Sequence, residues 1–302
     1  MTFRILAIDG GGIRGLYAAY ILKRIHEEFK VKFSEHFDLI VGTSTGSIIA
    51  GLIAVDHPIE KVVLLYEIEG KNIFFSNSFS LSGLCKSKYS KTHLERVLNK
   101  ELGNKTLSDV KNTRLVIPAT DIANGQVFVF KSSYLDEFVR DRNTKIVDAI
   151  LSSCSAPTYF DPQKIDNYLL ADGGLWANNP ALVGFTEAMG KLEIAKDDIR
   201  ILSIGTGIGK HYYKIDGAEA RNWGLLNGWE RQKLIDTILN LQSISTENIV
   251  KFLLKKESYL RLNFSTDTNL TLDRIDILEE LKTRADRTFT YEASKIKNFL
   301  MN

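Results

Sequence analysis

Two short motifs hold the residues whose chemistry is most specific. Ser44 sits in Gly42-Thr43-Ser44-Thr45-Gly46, directly after the apolar run DLIV, and Asp172 opens Asp172-Gly173-Gly174 at the end of NYLLAD. A serine hydroxyl is a weak nucleophile until a neighbouring base takes its proton. The GxSxG pattern lifts such a hydroxyl onto a sharp strand-to-helix elbow, and its glycines, here Gly42 and Gly46, allow the backbone crowding that the elbow needs. A carboxylate within hydrogen-bond reach can accept the proton directly, and the two glycines after Asp172 let another backbone or a substrate come close. A third motif, Gly10-Gly11-Gly12-Ile13-Arg14-Gly15, follows FRILAID. The N–H groups around Gly11 and Gly12 would face a carbonyl oxygen as it becomes an oxyanion, with Arg14 steadying the loop or the charge. Together these residues predict a serine acyl hydrolase.

Each motif also has a plainer reading. Ser44 can be a packing serine in a tight turn, and Asp172 a turn cap. Of the five histidines, His26, His36, His57, His93 and His211, only His211 follows both Ser44 and Asp172, as a Ser, acid, His order requires. It stands in the polar segment GKHYYK, where an exposed loop histidine is the ordinary expectation. The first glycine run also satisfies GxGxxG between a strand and a helix, the pattern of a dinucleotide site. That fold wants an acidic residue at the far end of the second strand, whereas Asp38 precedes its strand and the strand ends in GTSTG.

The elements that must carry these residues alternate for the first two hundred positions. Strands are predicted at Phe3–Asp9, Asp38–Gly42, Arg114–Thr120, Gln126–Lys131, NYLLAD and DIRILSIGTG. Helices are predicted at about Leu16–Phe29, after Gly42, from Pro58 to a stop at Gly70, at Lys91–Glu101 and near Ile146–Cys154. This is an α/β pattern, a mostly parallel sheet flanked by helices on both faces. Asn124-Gly125 marks a turn between two of the strands. Residues 71–90 alternate serine with Phe74, Phe75, Phe79, Leu81 and Leu84, the composition of a lid or lipid-facing segment, or of a surface loop or short edge strand. The last third reads as two amphipathic helical stretches, Leu225–Lys256 and Asp273–Asn302, around a candidate edge strand YLRLNF. No internal repeat or linker divides the chain, so one domain is expected over 1–302, with a catalytic core of about 3–207 and a helix-rich part of about 208–302.

Composition bounds the partners. The 302 residues are 44% hydrophobic and 25% charged with a formal net charge of +2, which gives no broad basic field for a nucleic-acid polymer. Cys85 and Cys154 are the two cysteines, too few for a disulfide framework or a cysteine-built zinc site, and they suit a reducing cytoplasm. No export signal or membrane-spanning run is evident. Neither a metal nor a cofactor is expected.

DGGGIRG (9–15), GTSTG (42–46), SSCSAPTYF (152–160) and DGG (172–174), in this order and spacing, resemble the patatin-like phospholipase family over about Ile5 to Gly207. The resemblance implies a patatin-like three-layer α/β fold and a Ser-Asp dyad acting on lipid acyl esters through an acyl-enzyme. It implies Ser44 as nucleophile, Asp172 as base, and Gly10, Gly11, Gly12 and Arg14 as the oxyanion loop, with the SAP segment packed near the site. The opening and SAPTYF are similar to bacterial cytoplasmic members, some of them effectors of cyclic-oligonucleotide antiphage signalling that degrade membrane phospholipids when a nucleotide binds. That likeness implies a phospholipid substrate, transient contact with the membrane surface and a cyclic-nucleotide activator. Lys251, Lys255 and Lys256 offer a nucleotide pocket, a membrane face or a solvated helix face. A catalytically silent module that senses lipid or nucleotide on the same fold is the alternative function.

Overall fold

The structure, a computed structural model, describes residues 2–73, 87–209, 213, 215, 222–224, 228–268 and 270–301. Its strands are β1 (Phe3–Ile8), β2 (Leu39–Gly42), β3 (Arg114–Asp121), β4 (Gln126–Lys131), β5 (Gln163–Ile165), β6 (Tyr168–Asp172), β7 (Ile199–Ile204) and β8 (Tyr259–Leu262). The order β3-β2-β1-β7-β8 is parallel throughout. β4 and β6 both pair antiparallel with β3, and β5 continues antiparallel from β6.

Helices cover both faces: α1 (Gly15–Phe29), α2 (Phe33–His36), α3 (Thr45–Ala54), α4 (Ile59–Ile73), α5 (Thr92–Leu102), α6 (Ile146–Ser153), α7 (Gly174–Ala177), α8 (Ala181–Gly190), α9 (Arg231–Leu253) and α10 (Leu278–Met301). Alternation along β1 shows how the layers form. Leu6 and Ile8 join a core with Leu16 and Ile25 of α1, Ile49 of α3 and Phe289 of α10. Ile5 and Ala7, pointing the other way, join Ala181, Phe185 and Ala188 of α8 and Val250 of α9. Buried on both faces, β1 and β2 read as nearly continuous apolar runs, as central parallel strands must.

This topology positions the chemistry. Parallel strands bring their carboxyl ends to one edge of the sheet, where open α/β sheets bind ligands. The glycine loop follows β1 and Ser44 follows β2. Asp172 ends β6, and the antiparallel pairing of Ala119 with Asp172 carries it to the same edge.

Several elements differ from the sequence reading. Gly70 does not stop its helix: α4 continues to Ile73, and a Cβ at Gly70 would lie 2.4 Å from Ile13 Cδ1, so the glycine serves close packing against the glycine loop. β5 and α8 escape the sequence reading altogether. β5 has three residues, too short for a period, and α8 is so evenly apolar that its sequence shows little amphipathic contrast. YLRLNF does form an edge strand, β8. The region read as a lid or a surface loop falls largely at 74–86, and His211 and Cys85 with it lie outside the described residues. Among the described residues no helix is long and apolar enough to cross a membrane.

Candidate active site

Ser44 occupies the elbow between β2 and α3 with φ 52° and ψ −125°, a region that non-glycine residues rarely adopt. Such strain costs on the order of 1–3 kcal/mol and persists only where the surroundings hold it. Here they do. A Cβ at Gly42 would lie 2.2 Å from Gly46 O, and one at Gly46 would lie 2.2 Å from Ile8 O, so the elbow packs backbone on backbone. Ser44 N–H donates to Ser153 Oγ at 2.9 Å, and Ser153 Oγ donates in turn to Pro118 O at 2.6 Å. Thr43, fully buried, donates its hydroxyl to Ala177 O at 2.6 Å and so ties the elbow to the turn after Asp172.

The structure brings Ser44 and Asp172, 128 positions apart in sequence, into contact: Ser44 Oγ donates to Asp172 Oδ2 at 2.7 Å. The other carboxylate oxygen, Oδ1, accepts the Gly174 N–H at 2.7 Å. Asp172 N–H donates to Ser155 O at 3.0 Å, and the Thr120 hydroxyl donates to Asp172 O at 2.8 Å, which locks the backbone beneath the carboxylate. Burial pushes the Asp172 carboxyl up to about 6, opposed by the hydrogen bonds from Ser44 and Gly174. A carboxylate tuned upward in this way is a stronger base near neutrality than an exposed one.

The glycine loop lies alongside. A Cβ at Gly10 would sit 3.2 Å from Ser44 Cβ. The Gly10 N–H is already donated to Asn178 O at 2.9 Å, whereas the Gly11 and Gly12 N–H groups have no protein acceptor among the described residues. Gly12 takes φ +58°, with Leu272 O 2.1 Å from where its Cβ would be, so no other residue fits the crossing. Arg14 is buried and donates to Gly11 O at 3.1 Å and Gly207 O at 3.2 Å. Those bonds direct its guanidinium to one carbonyl of the loop and one after β7, so it braces the turn against the sheet edge.

Beside Ser44 lies a small apolar cavity of about 50 Å³. Ile48, Leu65, Tyr66, Leu94 and Phe160 help to line it, with Gly12 and Ser44 at one side. The SAP segment therefore does pack near the site: Ser153 holds the elbow amide, Ser155 the Asp172 amide, and Ala156 and Tyr159 line the cavity. The described histidines have their partners elsewhere, His26 with Val31 O, His57 with Glu101 and His93 with Glu69, while His36 packs edge-on to Phe37. Asp38 stays at the opposite end of β2 from the position a dinucleotide ribose would need, accepting the Arg4 N–H at 2.7 Å. Thr43 and Ser153 were not singled out from sequence, although both lie inside motifs that were.

A three-layer α/β sheet with an elbow serine hydrogen-bonded to a buried aspartate beside an apolar cavity defines a serine-hydrolase class of architecture. A profile of the patatin-like phospholipase family matches residues 6–184, and the chain belongs to that family of serine esterases and phospholipases. It is 32% identical over 257 residues to a cGAMP-activated phospholipase of Pseudomonas aeruginosa, covering 83% of this chain and 75% of that protein. It is 27% identical over 314 residues to a cUMP-AMP-activated phospholipase of Escherichia coli, covering 99% and 94%. The crystal structure of VipD from Legionella pneumophila shares the fold with a TM-score of 0.51 at 11% identity, covering 97% of this chain and 67% of that one.

Proposed function

We propose that this protein hydrolyses the carboxylic ester bonds of membrane phospholipids through a Ser44–Asp172 dyad and is activated by a cyclic dinucleotide. The observation that carries the catalytic reading is the 2.7 Å hydrogen bond from the strained elbow serine to the buried carboxylate. With the acyl chain in the apolar cavity, Ser44 Oγ attacks the ester carbonyl as Asp172 takes its proton. The Gly11 and Gly12 amides face the developing oxyanion, and Arg14 keeps their loop in place. Asp172 then returns its proton to the departing alcohol, leaving an acyl-enzyme. In the second half, Asp172 deprotonates a water that attacks the acyl carbonyl, and the proton passes back to Ser44 as the fatty acid leaves.

The activator is inferred from the relatives whose names specify cGAMP and cUMP-AMP. An enzyme switched by a soluble nucleotide fits work in the cytoplasm with transient contact at the membrane surface. The test is lipid mass spectrometry after incubation with total membrane extract, with and without a cyclic-dinucleotide panel. Free fatty acid and lysolipid should accumulate with the wild type and at least one nucleotide, and not with Ser44→Ala. Unchanged lipids under every condition, with a Ser44 that no fluorophosphonate labels, would favour the silent sensor instead.

A further inference from the structure

An activator needs a site, and the outer edge of β8 provides one; this inference rests on the activator reading above. Two clefts adjoin there and share Arg261, Asn263, Phe264 and Ser265 in their linings. The one between the end of α9, β8 and α10 is about 710 Å³ and is lined by Lys251, Lys255, Lys256, Lys295 and Arg261, with Glu247 its single carboxylate among the described residues. In a chain of formal net charge +2, this is a local concentration of cations. Carboxylates neighbour three of them, the exposed Asp197 at Lys255 and the partly buried Glu247 at Lys251 and Glu292 at Lys295. Such surface pairs are weak and readily exchanged for a ligand anion. Lys256 has no carboxylate partner among the described residues.

Arg261 distinguishes this cleft from an ordinary basic surface. Its side chain is 6% exposed, and its Nε makes no hydrogen bond among the described residues but faces Glu247 Oε2 at 3.6 Å. The two terminal nitrogens clamp Asp9 at 2.7 and 2.5 Å, and Nη1 also donates to Ser203 Oγ at 2.8 Å. Asp9 immediately precedes Gly10, so one side chain joins the floor of the cleft to the start of the glycine loop. In the adjoining cleft Arg284 lies 4.9 Å over the Phe264 ring, and its planar guanidinium is a surface on which a base can stack. Two phosphodiesters among clustered cations, with bases beside a guanidinium plane, describe a cyclic dinucleotide.

We propose that a cyclic dinucleotide binds this β8-edge cleft through Lys251, Lys256 and Lys295, and that Arg261 transmits its presence through Asp9 to the glycine loop. The experiment is calorimetric titration of the full chain with cGAMP and with cUMP-AMP. It compares the wild type, Lys251→Glu/Lys256→Glu and, independently, Lys295→Glu, with nitrophenyl-ester turnover as the check on folding. Both variants should keep basal turnover, weaken nucleotide binding by about tenfold or more, and lose nucleotide-stimulated lipolysis. Nucleotide affinity that stays within about twofold of wild type in both variants overturns the site while leaving the activator reading standing. A wild-type chain that hydrolyses lipid but binds neither nucleotide overturns the activator reading, and the site with it. Binding of phosphatidylglycerol vesicles, lost in both variants while nucleotide binding is kept, also overturns the proposal, since the cations would then serve a lipid surface.

Discussion

Replacing Asp172 with asparagine separates the cost of the buried carboxylate from the role proposed for it. Asp172 is 5% exposed, and burial raises its carboxyl from an ordinary 3.8 to about 6. A shift of about two units corresponds to roughly 3 kcal/mol favouring the neutral form in the folded chain. Because the folded value lies above the unfolded one, the native state holds its proton while the unfolded chain has already lost it. Stability from this group is thus present below about pH 4 and lost as pH rises through about 6. The asparagine side chain carries no charge and keeps an oxygen for the Gly174 N–H. Near pH 8 the Asp172→Asn protein should therefore be more stable than wild type by up to about 3 kcal/mol, reduced by its altered bond to Ser44. Near pH 4 the two should converge. Ester turnover should fall by roughly two to four orders of magnitude, because no base remains for Ser44. Urea unfolding at both pH values, with nitrophenyl-ester hydrolysis on the same samples, supplies the two readouts. A variant that is less stable near pH 8 than near pH 4, relative to wild type, or that retains turnover within about tenfold, refutes the reasoning.

Other expectations follow from the same geometry. In wild type, kcat/KM for a neutral ester should rise with pH through about 6 and then level, as Asp172 ionises; a steady-state pH profile checks this. Gly46→Ala places a methyl 2.2 Å from Ile8 O and should destabilise the fold by roughly 2 kcal/mol or more, read as a lowered Tm. Leu94→Trp fills part of the apolar cavity and should shift preference toward short acyl chains, seen as a falling ratio of long-chain to short-chain kcat/KM. His211→Ala should leave turnover within about threefold of wild type, since the dyad leaves the histidine no proton to move.

The geometry of the candidate site was legible in the sequence where residue type and local backbone demand coincide. A glycine flanking Ser44 on each side, and Gly173 directly after Asp172, declare an elbow and a close approach because other residues would collide with backbone atoms there. The parallel core was legible for a similar reason: β1 and β2 are buried on both faces and carry little but apolar residues. What escaped depends on tertiary contact. The period of α8 was hidden by its apolar neighbours, and Gly70 resembled a helix stop until Ile13 occupied the space above it. Asn178 takes the Gly10 N–H through a carbonyl, and any residue type has one, so nothing in the sequence sets Gly10 apart from Gly11 and Gly12. The same holds for Ser153 under the elbow amide and for Arg261 under Asp9, whose partners are remote in sequence.

The central claim is that Ser44 is the hydroxyl that attacks. Treating the chain with a fluorophosphonate, in the presence of lipid and the cyclic-dinucleotide panel, and locating the adduct by peptide mass spectrometry tests it directly. The account predicts a single adduct on the peptide containing Ser44, formed much more slowly in Asp172→Asn. An adduct on a different serine, or Ser44 labelling at the wild-type rate in Asp172→Asn, would contradict it.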